Sequence, residues 1–101
     1  MATATPTLFY RGSAATSSAT LYTVPSGTSS VLTDIVVSNT SSDQQYITIT
    51  VDGINLVPTV PVSANAVINF QFKTVLAATK VIAGYASSTG VKLHLSGVEV
   101  A

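Results

Sequence analysis

The stretch Gln45-Tyr46-Ile47-Thr48-Ile49-Thr50-Val51-Asp52-Gly53 alternates apolar and polar side chains and then turns. A period of two puts Ile47, Ile49 and Val51 on one face of a strand and Tyr46, Thr48 and Thr50 on the other. The first set is expected to face a core. Asp52-Gly53 is a strong hairpin signal, because the favoured two-residue turn needs positive φ at both positions. The chain then returns through residues 54–57. This is the signature of a half-buried antiparallel sheet.

Working outward, the same reading holds. Residues 30–38 form a long strand whose Ile35-Val36-Val37 run predicts burial on both faces. Residues 39–43 are a polar turn. Residues 20–24 are a strand stopped by Pro25-Ser26-Gly27, with Pro at the second and Gly at the fourth position of a type I turn. Residues 8–11 make a short first strand, followed by a Ser/Ala/Gly connector over 12–18. Downstream, Pro58 and Pro61 bracket an edge or loop segment, since neither can donate to a ladder. Residues 66–72 set Ile68, Phe70 and Phe72 on one face. Residues 81–86 and 91–100 are the last strands, with the turn 87–90 between them. In the final strand Leu93 and Leu95 face in, Lys92 and His94 face out, and Gly97 predicts a bulge.

About eight short strands result, separated by turn residues at intervals of roughly 8–12 positions. No segment carries helical spacing and no internal repeat is visible. The expected fold is all-β: an antiparallel β-sandwich, jelly-roll-like, with an immunoglobulin-like sandwich as the alternative. Residues 1–19 read as an N-terminal arm and 20–101 as the sandwich domain.

Composition narrows the function. Only 8% of the 101 residues are charged, while 28 are Ser or Thr and 14 are Val. A chain of this length buries roughly 60–65% of its unfolded surface, which leaves little margin. Hydrophobic residues make up 47%, net charge is zero and mean hydropathy is +0.51, a combination that favours self-association. There is no Cys, so neither disulfides nor thiolate metal sites can form. Residues 1–10 lack the basic and apolar regions of a secretory signal, and no apolar run approaches the roughly 20 residues of a membrane span.

Chemistry-bearing groups are scarce. His94 is the sole histidine and reads as an outward strand residue beside Lys92, not a metal ligand. Asp43 and Asp52 sit in turns, and Asp34 lies in an apolar strand, facing solvent or pairing with Arg11 or Lys73. No nucleophile, base and orienter form a set, no Gly-rich phosphate loop exists, and no Ser occupies a nucleophile elbow. Arg11, Lys73, Lys80 and Lys92 are too scattered to neutralise a phosphate backbone. Asn39-Thr40-Ser41 fits a glycosylation acceptor by pattern alone. The expectation is a non-enzymatic protein without cofactor, metal, nucleic-acid or membrane partner.

Several segments, in order, resemble small phage virion β-sandwich proteins. These are Leu21-Tyr22-Thr23-Val24-Pro25-Ser26-Gly27-Thr28, Thr33-Asp34-Ile35-Val36-Val37-Ser38-Asn39-Thr40, Val51-Asp52-Gly53, Val60-Pro61-Val62 and His94-Leu95-Ser96-Gly97-Val98-Glu99-Val100. The likeness covers roughly residues 20–100. One departure is Leu76-Ala77-Ala78-Thr79-Lys80, where such modules often carry a Gly-Asp turn. The resemblance implies a structural protein of the virion, made in the host cytoplasm. The leading form is a capsid decoration (cement) protein on the capsid surface, a homotrimer that bridges subunits of the major capsid protein. A tail- or fibre-associated module is the alternative.

The expected contact residues are Leu8, Phe9, Tyr10 and Arg11, an aromatic patch closed by Arg, together with His94. Aromatic residues and Arg are frequent interface anchors. Residues 8–11 read equally well as an arm docking on a neighbour or as an ordinary edge strand. A different class, a carbohydrate-binding sandwich, would use Tyr22, Tyr46 or Tyr85 as a stacking platform.

Overall fold

A computed structural model describes residues 4–101. Eight strands run in chain order: β1 (Ala4–Ser13), β2 (Ala19–Thr23), β3 (Ser29–Asn39), β4 (Gln45–Val51), β5 (Ile54–Val62), β6 (Val67–Leu76), β7 (Val81–Ala86) and β8 (Val91–Val100). They form two four-stranded sheets, ordered β1-β8-β3-β6 and β2-β7-β4-β5, and every pairing is antiparallel. Successive strands alternate between sheets, except where the β4–β5 hairpin stays in one. That order is a pair of Greek keys wrapped into a jelly roll, the first of the two sandwiches the sequence allows.

The period-two pattern produces the core. Ile47 and Ile49 are fully buried between the sheets, as are Leu32, Ile35 and Val37 from β3 and Leu93 and Leu95 from β8. Ile68, Phe70 and Phe72 share the inner face of β6, half-buried at the rim. Val36 departs from expectation. It is only half-buried, because none of the described residues forms a layer over the outer face of the first sheet.

Turn chemistry holds with two adjustments. Asp52 and Gly53 have φ of 53° and 79°, both positive as the tight hairpin requires. At Pro25 the turn lies one residue later than the sequence suggests: Thr28 N–H donates to Pro25 C=O at 3.2 Å, and Gly27 takes the positive φ of 77°. Pro58 and Pro61 fall within β5 and do not interrupt it, because β5 is an edge strand and its register slips there.

Within the segment 1–19, residues 4–13 pair along their length with β8 of the same chain, from Ala4 opposite Val100 to Ser13 opposite Lys92. In a single copy, residues 8–11 are therefore edge strand.

Candidate contact surface

The outer face of the first sheet is the place where exposed anchors converge, and a pair of bulges shapes it. Gly97 on β8 is the cause. A Cβ there would collide with Val31 C=O and lie 2.7 Å from the Phe9 ring. The missing side chain leaves a gap that Phe9 fills from β1. Register shifts between Leu8 and Tyr10 on β1, and between Leu32 and Asp34 on β3, flank this point on both sides. The sequence predicts the bulge at Gly97; the structure puts the extra residues, Phe9 and Thr33, on its two neighbours.

The β1 bulge sorts the predicted contact residues. Two successive side chains, Phe9 and Tyr10, turn inward against one residue of the partner strand, and Leu8 and Arg11 are left outward. Leu8 is 50% exposed, whereas Phe9 is 6% exposed and belongs to the core. Phe9 stacks on Tyr22 with ring centroids 4.2 Å apart. Tyr10 is half-buried, covers Gly12 and donates its O–H to Ser13 C=O at 2.7 Å. His94 lies directly across from Arg11, and Arg11 Nε donates to His94 Nδ1 at 3.0 Å. The structure thus brings Leu8, Arg11 and His94 onto one face and withdraws Phe9 from it.

Between Leu8 and Arg11 the surface dips into a shallow depression of about 360 Å³, lined also by Pro6, Thr7, Thr33, Ser96 and Gly97. Thr33 Oγ1 donates to Ser96 C=O at 3.2 Å on its floor. Directly opposed residues in antiparallel strands point to the same side. Pro6 opposes Val98, Val98 opposes Val31, and Val31 opposes Val75. An apolar stripe therefore crosses all four strands beside the depression. Val75 at its end is 71% exposed. Nothing in the strand sequences announces this stripe; it exists only once the register is known. On the far side of the depression the rows are mixed: Arg11, His94 and Asn69 share one with Val36, and Ser13, Lys92 and Ser38 share the next with Val67, where Lys92 Nζ donates to Ser13 Oγ at 2.6 Å.

Other polar groups serve the fold. Tyr22 O–H donates to the Glu99 carboxylate and is 2.9 Å from Ser30 Oγ. Burial, and next the Glu99 carboxylate, hold the Tyr22 pKa above its usual value. Asn39 is buried. Its Nδ2 donates to the carbonyls of Asp43 (2.9 Å), Val62 (3.0 Å) and Ser63 (3.3 Å), and its Oδ1 accepts from Ser41 N–H and Oγ. The nitrogen a glycan would need is occupied in clamping two loops. Asp34 pairs with neither Arg11 nor Lys73; among the described residues the ion pair is Lys80–Asp52, at 3.8 Å and exposed. Among the same residues no group of three or more His, Cys, Asp or Glu could hold a metal ion.

No protein-family model and no curated protein matches this chain. Among solved structures, a chain in the crystal structure of the T13 IBDV viral particle superposes with a TM-score of 0.58 and 13% identity. The match takes in 98% of this chain and 30% of that one, so this chain spans less than a third of its length. At this identity the likeness is one of fold: a two-sheet antiparallel sandwich shared with a lobe of a larger protein.

Proposed function

We propose that this chain is a structural protein of a virus particle, seated on the capsid surface as a decoration protein that bridges major capsid subunits. The observation that carries this is the outer face of the first sheet. There a cross-strand apolar stripe, the exposed Leu8 and the Arg11 guanidinium border one depression. Such a face suits docking on a protein surface: Leu8 and the stripe supply apolar contact, and Arg11 supplies orientation. The likeness to a lobe of a chain in an icosahedral particle supports the reading. Each copy needs only a modest contact, because identical contacts repeated over a lattice reinforce one another.

Imaging particles made with and without this chain tests the proposal. The expected result is lattice-ordered density on the capsid that disappears with the chain, and that is also lost with Leu8→Asp. Density confined to the tail would move the protein to the tail- or fibre-associated alternative; none at all would overturn both.

A second reading, glycan binding, has one observation in its favour. Tyr46 and Tyr85 are 44% and 38% exposed, and Thr48, directly opposite Tyr85, places both rings on the outer face of the second sheet. Tyr22 is spent in the Phe9 stack and takes no part. Binding of the isolated chain to an oligosaccharide, abolished by Tyr85→Ala, would favour this reading over the capsid one.

A further inference from the structure

The outer strands of the sandwich are protected unequally. β1 is interrupted by Pro6 and by the Phe9 bulge, β2 is only 5 residues long, and β5 contains Pro58, Pro61 and two register shifts. Prolines, bulges and short length are the usual devices that keep a sheet edge from pairing with another chain. β6 has neither Pro nor Gly, and its regular part, residues 67–71, has no charge.

The direction of its free main-chain groups follows from the register. Asn39 N–H donates to Ala66 C=O at 2.9 Å, and Val37 and Ile35 oppose Ile68 and Phe70. Alternation along an antiparallel ladder then turns the main-chain groups of Ile68 and Phe70 toward β3. Those of Val67, Asn69 and Gln71 point away from the sheet. Past Gln71 the register shifts and the regular edge ends. The core reaches solvent on this side as well: Ile68, Phe70 and Phe72 are only partly buried at β6, with Phe70 and Phe72 stacked on each other at its rim.

We propose that this edge pairs with the same edge of a second copy, antiparallel about a two-fold axis at Asn69, a dimer in place of the homotrimer that the sequence resemblance implies. In that register Asn69 faces Asn69 of the second copy, and Val67 faces Gln71. All three outward-pointing residues then exchange main-chain hydrogen bonds with their opposites. On the inner face Ile68 meets Phe70 of the second copy, extending the core across the junction. An uncharged strand is the occupant this edge admits, and a second copy supplies one in a chain whose zero net charge and apolar composition favour association with itself. Residues 67–71 bring no charge into opposition, a charged strand would find no counterion there, and the chain has zero net charge. Five residues a side fall well short of the roughly 20–30 a side of a standard interface, so pairing is weak and reversible. The contact lies at the opposite edge of the sheet from β1, and it leaves Leu8 and Arg11 free.

Sedimentation of the full chain over a concentration series tests this, using wild type, Asn69→Lys, Asn69→Asp and an equimolar mixture of the two variants. Wild type is expected to pass from monomer to dimer as concentration rises. Each charged variant should dimerise roughly tenfold more weakly or worse, because like charges meet on the axis. The mixture should recover dimer. A concentration-independent monomer, a trimer, a dimer indifferent to both charges, or a mixture that recovers nothing would each overturn the proposal. Should a charged variant fail to fold, Asn69→Cys gives an independent reading. The chain has no other Cys, and opposed residues of a hydrogen-bonded pair lie about 5.5 Å apart at Cα, within disulfide range. Oxidation should cross-link Asn69→Cys faster than Val75→Cys; equal rates would also overturn it.

Discussion

Gly97 and Tyr22 show how single residues hold this sandwich. Gly97→Ala would drive a methyl group into Val31 C=O and the Phe9 ring, neither of which can swing clear. The expected loss is about 2–3 kcal/mol, the usual cost of overpacking a tight site, read as a lower urea midpoint at unchanged slope. Among the described residues, burial and the Glu99 carboxylate raise the Tyr22 pKa. A group whose folded pKa lies above its unfolded value contributes fully below the unfolded value, 10.0 for Tyr, and loses that contribution as pH rises through the folded value. Stability should therefore have a Tyr22-dependent part that is flat up to about pH 10 and falls above it. Tyr22→Phe should cost about 1–2 kcal/mol at neutral pH by removing the hydroxyl shared with Glu99 and Ser30. It should also flatten the alkaline fall; denaturant melts at neutral and alkaline pH compare the two slopes. A variant as steeply alkaline-sensitive as wild type would place the titration on another group.

At the scale of the element, the turn between β6 and β7 is one of two places among the described residues, with Thr59 in β5, where a β-branched residue holds a positive φ. Thr79 holds φ of 70° while its N–H donates to Val24 C=O at 3.0 Å. A β-branched side chain resists that conformation, and Asn tolerates it. Thr79 is exposed, so its side chain holds nothing else in place. Thr79→Asn should raise stability by about 0.5–1 kcal/mol, seen as a higher thermal midpoint. The strands themselves were legible because period-two patterning and turn residues are local signals. Residues 81–86 and 91–100 begin and end as β7 and β8 do. The contact face was legible only in part. Residues 8–11 read from sequence as one contact patch and His94 as outward; in the structure Leu8, Arg11 and His94 lie on one face, but Phe9 does not join them. Nothing within residues 8–11 marks a bulge there; the need for it arises on β8, where Gly97 leaves a gap that an aromatic ring from another strand must fill. The apolar stripe was invisible for the same reason, since Pro6, Val31, Val75 and Val98 are far apart in the chain and meet only through register.

The whole molecule is an elongated block, 48 × 21 × 18 Å, with few charges spread over it. If the proposed capsid seating uses the apolar stripe and Leu8, the contact depends little on ionic strength, because screening acts on charges and not on buried apolar area. The fraction of chain retained on particles should therefore stay constant from low to moderate salt in a pelleting assay; release rising steeply over that range would point to ion pairs instead. Ala4 and Val100 are register partners on adjacent strands, so the polypeptide enters and leaves the block at the same pole. A body tethered this way behaves as a plug-in lobe. It can be spliced into a surface loop of a larger protein without stretching the host, and cargo fused before Ala4 or after Val100 would emerge side by side, facing the same direction.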